Sequence, residues 1–226
     1  MPVPYYVSPE QMMQDKAEYA KKGIAKGRSL VVMEYNQGIA LVADNPSSLY
    51  KISEVYDRIA FAGAGRYSEF ENLRKSGIRH ADMKGFIYSR DDVNAKSLVN
   101  AYSQALGTVF SQETKPLEVE ILVMAVGIGD APNEIYRVSF DGSIFEETGF
   151  TVIGGKSELV LSKLKSRYTT SPSASSLQDV VRSCVEAMGE VNGQKISHEG
   201  LEVAILSKLE SGRVFRRLPQ AELSLY

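Results

Sequence analysis

The sequence contains a single cysteine, two histidines and no tryptophan among its 226 residues. One cysteine, Cys184, excludes an intrachain disulfide, which favours a reducing compartment such as the cytoplasm. The histidines, His80 and His198, have no neighbour at the spacing of metal ligands, so no metal site is predicted. The formal net charge is -2, so the chain has no excess of basic residues that would attract nucleic acid or an anionic membrane.

Long apolar runs are also missing. The stretch MPVPYYVSPE has neither the basic start nor the apolar segment of a secretory signal. The longest nearly apolar run, ILVMAVGIG from Ile121, is too short to span a bilayer. With 43% hydrophobic and 24% charged residues, the chain has the composition of a globular protein that buries a substantial core. We therefore expect a soluble cytoplasmic protein.

The hydrophobic pattern predicts helices and strands in alternating groups. The first helix should begin at the N-cap Ser8, with Pro9 in the first turn, and end near Gly27. Its apolar face is incomplete, which indicates a position at the surface or at a subunit boundary. Further helices are predicted over 66–77, 92–112, 156–168 and 176–189.

Strands are predicted between these helices. They fall in 29–35, 38–45, 50–57, 58–65, 117–127, 134–142, 143–155 and 201–209, with 214–219 as a further candidate. Grouped strands joined by hairpins favour antiparallel sheets over alternating βαβ units. The order predicts an α+β fold in which two sheets pack face to face and helix pairs cover them, as one domain.

Ser29 raises the one catalytic hypothesis. It follows Gly27 and Arg28 and begins a strand, where removal of the preceding 28 residues would expose a serine with its own α-amino group. The alternative is an ordinary strand residue. The Gly155-Lys156-Ser157 segment lacks the earlier glycine of a phosphate-binding loop, because that position holds Phe150, so we predict no nucleotide cofactor.

Several segments resemble one known family. YYVSPEQMMQDKAEYAKKGIAKGRSLVV is similar to the amino-terminal signature of proteasome alpha subunits, through Ser8-Pro9, Glu18-Tyr19-Ala20 and Lys21-Lys22-Gly23. NPSSLYKISEVYDRIAFAGAGRYSEFENLR, KPLEVEILVMAVG and YRVSFDGSIFEETGF extend the match over nearly the whole chain, closest to the actinobacterial type. The resemblance implies a four-layer αββα sandwich of the N-terminal nucleophile hydrolase type.

The resemblance also implies that this chain has no catalytic residue of its own. In the related beta subunits, a threonine exposed before the first strand is the nucleophile, and its position here holds Ser29. The position of its acidic partner holds Asn45, next to Asp44, and the position of the lysine holds Lys51. A self-processed peptidase that uses Ser29, or a stand-alone enzyme with an unrelated site, remains the alternative.

By the same resemblance, seven copies form a ring, and two such rings cap the catalytic beta rings of a proteasome core. Residues 1–7 would form a gate, 8–27 a helix on the ring face and 28–226 the sandwich. The gate residues implied are Pro4, Tyr5, Tyr6, Val7, Ser8 and Pro9.

The family also docks the C-terminal tails of AAA-type regulatory ATPases between neighbouring alpha subunits. The residues implied for this contact are Lys51, Gly65, Arg66, Glu18 and Tyr19. Lys51 would pair with the terminal carboxylate of the tail. Arg66 departs from the leucine common in the archaeal type, and Tyr19 matches a tyrosine that supports the open gate.

Overall fold

The computed structural model describes residues 8–168, 171–209 and 213–223. Outside them lie four of the predicted gate residues, Pro4, Tyr5, Tyr6 and Val7. The α-helices of the described residues are α1 (Pro9–Ala25), α2 (Tyr67–Ile87), α3 (Ala95–Gln112), α4 (Ser157–Arg167), α5 (Leu177–Asn192) and α6 (Gln220–Leu223). The strands are β1 (Leu30–Tyr35), β2 (Gly38–Asp44), β3 (Ile52–Tyr56), β4 (Ile59–Gly65), β5 (Val119–Ala125), β6 (Glu134–Val138), β7 (Ile144–Glu147), β8 (Phe150–Ile153), β9 (Leu201–Ser207) and β10 (Phe215–Arg217).

These strands form two five-stranded sheets. The first sheet has the order β10-β9-β2-β1-β8, and the second has the order β3-β4-β5-β6-β7. Every neighbouring pair is antiparallel. None of the helices in the described part of the chain combines the length and the apolar character needed to cross a membrane.

Alternation of side chains along β1 shows how the layers stack. Leu30 and Val32 point into the core between the two sheets, whereas Val31 and Met33 join the core beneath α4 and α5, since successive side chains leave a strand on opposite faces. A third apolar cluster lies between the second sheet and the pair α2 and α3. The four-layer αββα sandwich is therefore confirmed.

Helix α1 lies at the surface of the sandwich, as its incomplete apolar face predicts. The Ser8 hydroxyl accepts a hydrogen bond from the Gln11 amide and caps the helix. Ala20 and Ile24 are buried in a small cluster with Phe140. Met12, Met13 and Tyr19 remain exposed, so α1 presents an apolar surface that the described residues leave uncovered.

One predicted helix and one predicted strand differ most from the structure. The helix expected to end near Gly77 continues to Ile87, because Gly77 marks a close helix crossing rather than a stop. The single strand expected over 143–155 is two strands, since β7 pairs with β6 in the second sheet and β8 pairs with β1 in the first. Thr148 and Gly149 carry the chain from one sheet to the other.

Replacing Gly77 with alanine should destabilise the protein, although alanine is the better helix former. A Cβ at residue 77 would lie 1.7 Å from the Tyr102 hydroxyl, so the buried Tyr102 side chain or the two helices must shift, at a cost of about 1–3 kcal/mol. The matched control is Gly107→Ala in α3, where the new Cβ would lie 3.5 Å from the Asp141 carbonyl oxygen, an ordinary van der Waals distance. There we expect a gain of up to about 1 kcal/mol. Urea unfolding measures both variants, and equal free energies of unfolding would contradict the close contact.

Candidate functional site

The Ser29 side chain is buried and held in a fixed hydrogen bond. Ser29 directly precedes β1 and is 2% exposed. Its Oγ donates to the Gly155 carbonyl oxygen at 2.7 Å, and the Gly155 amide donates to the Gly27 carbonyl oxygen at 3.0 Å. The Ser29 hydroxyl is therefore shielded from solvent, and its proton is committed to the Gly155 carbonyl oxygen.

Lys51 lies beside this serine, and its ammonium is bound to the backbone. Its Nζ donates to the carbonyl oxygens of Arg28 at 3.1 Å and Asp44 at 3.2 Å. The Asp44 carboxylate is buried and accepts two hydrogen bonds from Arg28 Nη1, at 3.0 and 3.1 Å. Burial lowers the pKa of Lys51 to about 8, although the negative charges of Asp44 and Glu202 oppose the shift.

Asn45, at the position of the acidic partner, serves a structural role. Its Nδ2 donates to Glu202 Oε2 at 2.7 Å and to the Leu49 carbonyl oxygen at 2.8 Å. The buried Glu202 carboxylate also accepts from the amides of Lys51 at 2.9 Å and Ile52 at 3.1 Å. Glu202 therefore anchors the segment that carries Lys51. Sequence reasoning missed it, and the available signal was a carboxylate in the otherwise apolar strand LEVAILS.

The negative charge of Glu202 is balanced by Arg217 of β10. The Arg217 guanidinium forms an ion pair with Glu202, donates to the Ile52 carbonyl oxygen at 2.7 Å and stacks 3.8 Å from the centroid of the Tyr50 ring. The start of β3 is thus tied to the edge of the first sheet by one charged pair.

Gly65 and Arg66 lie at the end of β4, next to this site. The Gly65 backbone has a φ of +105°, and a Cβ there would lie 2.0 Å from the Glu118 carbonyl oxygen. That oxygen accepts a hydrogen bond from the Arg66 amide at 2.9 Å. The Gly63 amide donates to the Lys51 carbonyl oxygen at 3.0 Å, so Lys51, just before β3, lies opposite Gly63 of β4, two residues before Gly65.

An ionic cluster connects Arg66 with Tyr19 of α1. Lys115 Nζ lies 2.8 Å from Glu69 Oε1 and 3.1 Å from Glu118 Oε1, and 5.7 Å from the centroid of the Tyr19 ring. Arg66 lies farther from the same carboxylates, at 3.7 Å from Glu118 and 3.8 Å from Glu69. We call these four charged residues, Arg66, Glu69, Lys115 and Glu118, the corner cluster. Sequence reasoning found only Arg66 among them.

The remaining predicted site residues lie along α1. Ser8 and Pro9 begin the helix. Glu18 is exposed and pairs with Lys22 one turn later, at 3.4 Å. The hydrogen bonds and ion pairs found among the described residues do not join Glu18 to the corner cluster. The same residues contain no group of three or more His, Cys, Asp or Glu side chains that could hold a metal ion.

The comparison with protein families decides what this fold is. The family model described as "Proteasome subunit" matches residues 24–206. The chain belongs to the proteasome subunit family. Its two antiparallel sheets and their helix pairs are those of the N-terminal nucleophile hydrolase type, as the resemblance implied.

Individual relatives of this proteasome subunit are alpha subunits from actinobacteria. "Proteasome subunit alpha" of Thermomonospora curvata is 48% identical over 221 residues, covering 97% of this chain and 95% of that protein. That of Thermobifida fusca is 49% identical over 227 residues, covering 99% and 90%, and that of Sanguibacter keddieii is 51% identical over 221 residues, covering 96% and 86%. The resemblance to actinobacterial alpha subunits is confirmed. With the Ser29 geometry, it supports a non-catalytic subunit of the proteasome.

Proposed function

We propose that this alpha subunit forms the outer seven-membered rings of a cytoplasmic proteasome core. In this role residues 1–7, Ser8 and Pro9 gate the entry of substrates to beta rings that carry the catalytic residues. Tails of an AAA-type regulatory ATPase dock at Lys51, Gly65 and Arg66, with Glu18 and Tyr19 on the adjoining helix. The subunit thereby supports ATP-dependent degradation of tagged proteins without a cofactor of its own.

The observation that carries the docking proposal is the geometry of Lys51. Two of its three N–H groups donate to backbone carbonyls, so the ammonium is held in one place and its third N–H is available to an acceptor. A terminal carboxylate is the acceptor that suits a partly buried ammonium best, because a charged pair forms a short and strong hydrogen bond. Gly65 and Arg66 line the same end of the second sheet.

The observation that supports ring formation is the surface of α1. Met12, Met13 and Tyr19 are 48%, 40% and 47% exposed, and they share a helix whose inner side is already packed through Ala20 and Ile24. A repeated contact between identical subunits would bury these side chains in a closed ring.

Native mass spectrometry of the chain, purified alone and with its beta partner, tests this proposal. We expect sevenfold assemblies from which an intact alpha subunit is ejected. A subunit that begins at Ser29 would overturn the proposal in favour of a self-processed peptidase. A chain that stays monomeric with the beta partner present would contradict ring formation.

Docking should weaken as pH rises through about 8. Only the protonated form of Lys51 pairs with a carboxylate, and burial lowers the pKa of this lysine to about 8. The carboxylate of the tail stays ionised, so affinity should approach a loss of about tenfold per pH unit above that value. Fluorescence anisotropy between pH 6.5 and 9.5 measures this with the C-terminal peptide of the ring ATPase from the same genome. The same peptide with a terminal amide is the control, and a flat profile for the free acid would contradict the role of Lys51.

A further inference from the structure

We propose that Glu118 is a positioning residue that couples the docking pocket at Gly65 and Arg66 to helix α1. The inference rests on the proposed docking function. It names the side chain through which an occupied pocket acts on the helix that leads to the gate.

Glu118 touches both of the elements that it would couple. Its backbone carbonyl receives the Arg66 amide at 2.9 Å. Its side chain lies directly under α1, since a Cβ on Gly23 would lie 2.2 Å from Glu118 Oε2. The residue is 8% exposed, so its carboxylate cannot turn to water when a neighbour moves.

The two cations near Glu118 differ in how closely they approach the carboxylates of the corner cluster. Two carboxylates, Glu69 and Glu118, face two cations in the corner cluster. Lys115 is close to both carboxylates, whereas Arg66 is 3.7 Å or more from each and its side chain is 55% exposed. Among the described residues, Glu118 Oε1 has no hydrogen bond of good geometry, and its contacts are the ion pairs with Lys115 and Arg66. Arg66 is therefore the cation that an incoming ligand can draw away.

Movement of Arg66 changes the charge balance at the face of α1. Once Arg66 turns towards a ligand, Lys115 is the cation that remains within 4 Å of Glu118. Lys115 also lies beside the Tyr19 ring, so a closer approach to Glu118 shifts the contact with α1. The inner side of α1 is anchored at a second point, where the buried Lys16 donates to the carbonyl oxygens of Phe110 at 3.1 Å and Glu113 at 2.7 Å. Because of this anchor, a shift at Tyr19 is transmitted along the helix.

The variant Glu118→Gln tests the coupling, because it keeps the shape of the side chain and removes its charge. The matched control is Glu71→Gln. Glu71 has a side-chain exposure of 16%, close to the 11% of Glu118, and its ion pairs are with Arg74 and Lys75 on its own helix. Both variants are made in the full chain and assembled with the beta partner. The probe is the C-terminal peptide of the ring ATPase from the same genome, as free acid and as amide.

Two quantities are measured for each particle: the Kd of the peptide and the ratio of stimulated to basal hydrolysis of a short fluorogenic substrate. For Glu118→Gln we expect the ratio to fall about fivefold or more, while the peptide binds as tightly as before or more tightly. Binding does not weaken because it no longer drives movement of α1. A merely structural role would weaken binding and hydrolysis together.

The outcomes separate this inference from the function on which it rests. Stimulation of Glu118→Gln equal to that of the wild type, or an equal loss in Glu71→Gln, overturns the coupling and leaves docking intact. Failure of the wild-type particle to bind the free acid more tightly than the amide overturns docking itself. If Glu118→Gln does not assemble, Lys115→Gln serves as the second variant. We expect the same loss of stimulation for it, and a ratio of stimulated to basal hydrolysis equal to that of the wild type would overturn the coupling.

Discussion

Replacing Lys51 with alanine should lower the affinity of an assembled particle for the free-acid tail peptide by about 10- to 150-fold. A hydrogen bond between two charged groups is worth about 1.5–3 kcal/mol, and that range of free energy corresponds to this range of Kd. The loss should be near the upper end, because the Lys51 ammonium is already fixed by the carbonyl oxygens of Arg28 and Asp44. Fluorescence anisotropy at pH 7 measures the Kd.

Two comparisons decide whether the effect belongs to Lys51. Lys208→Ala removes the same charge from an exposed position after β9, where the ammonium donates to the Ala131 carbonyl oxygen, and it should leave the Kd unchanged. The wild-type particle should lose a similar factor when the peptide ends in an amide. A Lys51→Ala particle that still prefers the free acid by the full factor would show that another residue binds the carboxylate.

Replacing Glu202 with alanine should lower the free energy of unfolding by about 3–5 kcal/mol, because it breaks a partly buried ion pair and leaves several hydrogen-bond donors without their acceptor. The carboxylate accepts hydrogen bonds from Asn45 and from the amides of Lys51 and Ile52, and it pairs with Arg217. All four groups lose an acceptor at once. Urea unfolding measures the effect, and the tail peptide should bind more weakly because the segment that carries Lys51 is no longer anchored.

The control for this change is the exposed Glu199, three residues earlier in the chain. Glu199→Ala should alter the free energy of unfolding by no more than about 0.5 kcal/mol. Glu202→Gln should fall between the two, since an amide keeps one acceptor oxygen but loses the charge. A Glu202→Ala protein as stable as Glu199→Ala would mean that Arg217 and the freed amides find water instead.

The sequence predicted the features that depend on neighbours along the chain. The apolar run from Leu30 to Met33 predicted a strand, and Ser8-Pro9 predicted the start of α1. The grouping of strands predicted two antiparallel sheets. Family resemblance then led to Lys51, Gly65 and Arg66, which lie just before β3, at the last residue of β4 and just after it.

The features that sequence reasoning missed depend on residues far apart in the chain. Glu202 meets Lys51 across 151 residues, and Glu118 meets Glu69 across 49. A single charged residue in an apolar strand gives no sign of which distant groups it binds. The predicted helix end at Gly77 was wrong for the same reason. The glycine is explained by the approach of Tyr102 from another helix, and residues next to Gly77 in the chain do not reveal that approach.

The order of the first sheet has a consequence for synthesis of the chain. The hairpin of β1 and β2 lies in the middle of that sheet, between β8 and β9, whereas the second sheet is built from strands that follow one another from β3 to β7. The second sheet can close as soon as residue 147 leaves the ribosome, and the β1 edge of the hairpin is covered once β8 follows. The β2 edge waits for residues 201–207. That edge is therefore exposed to other chains for about 10–30 s, at roughly 5–20 residues per second.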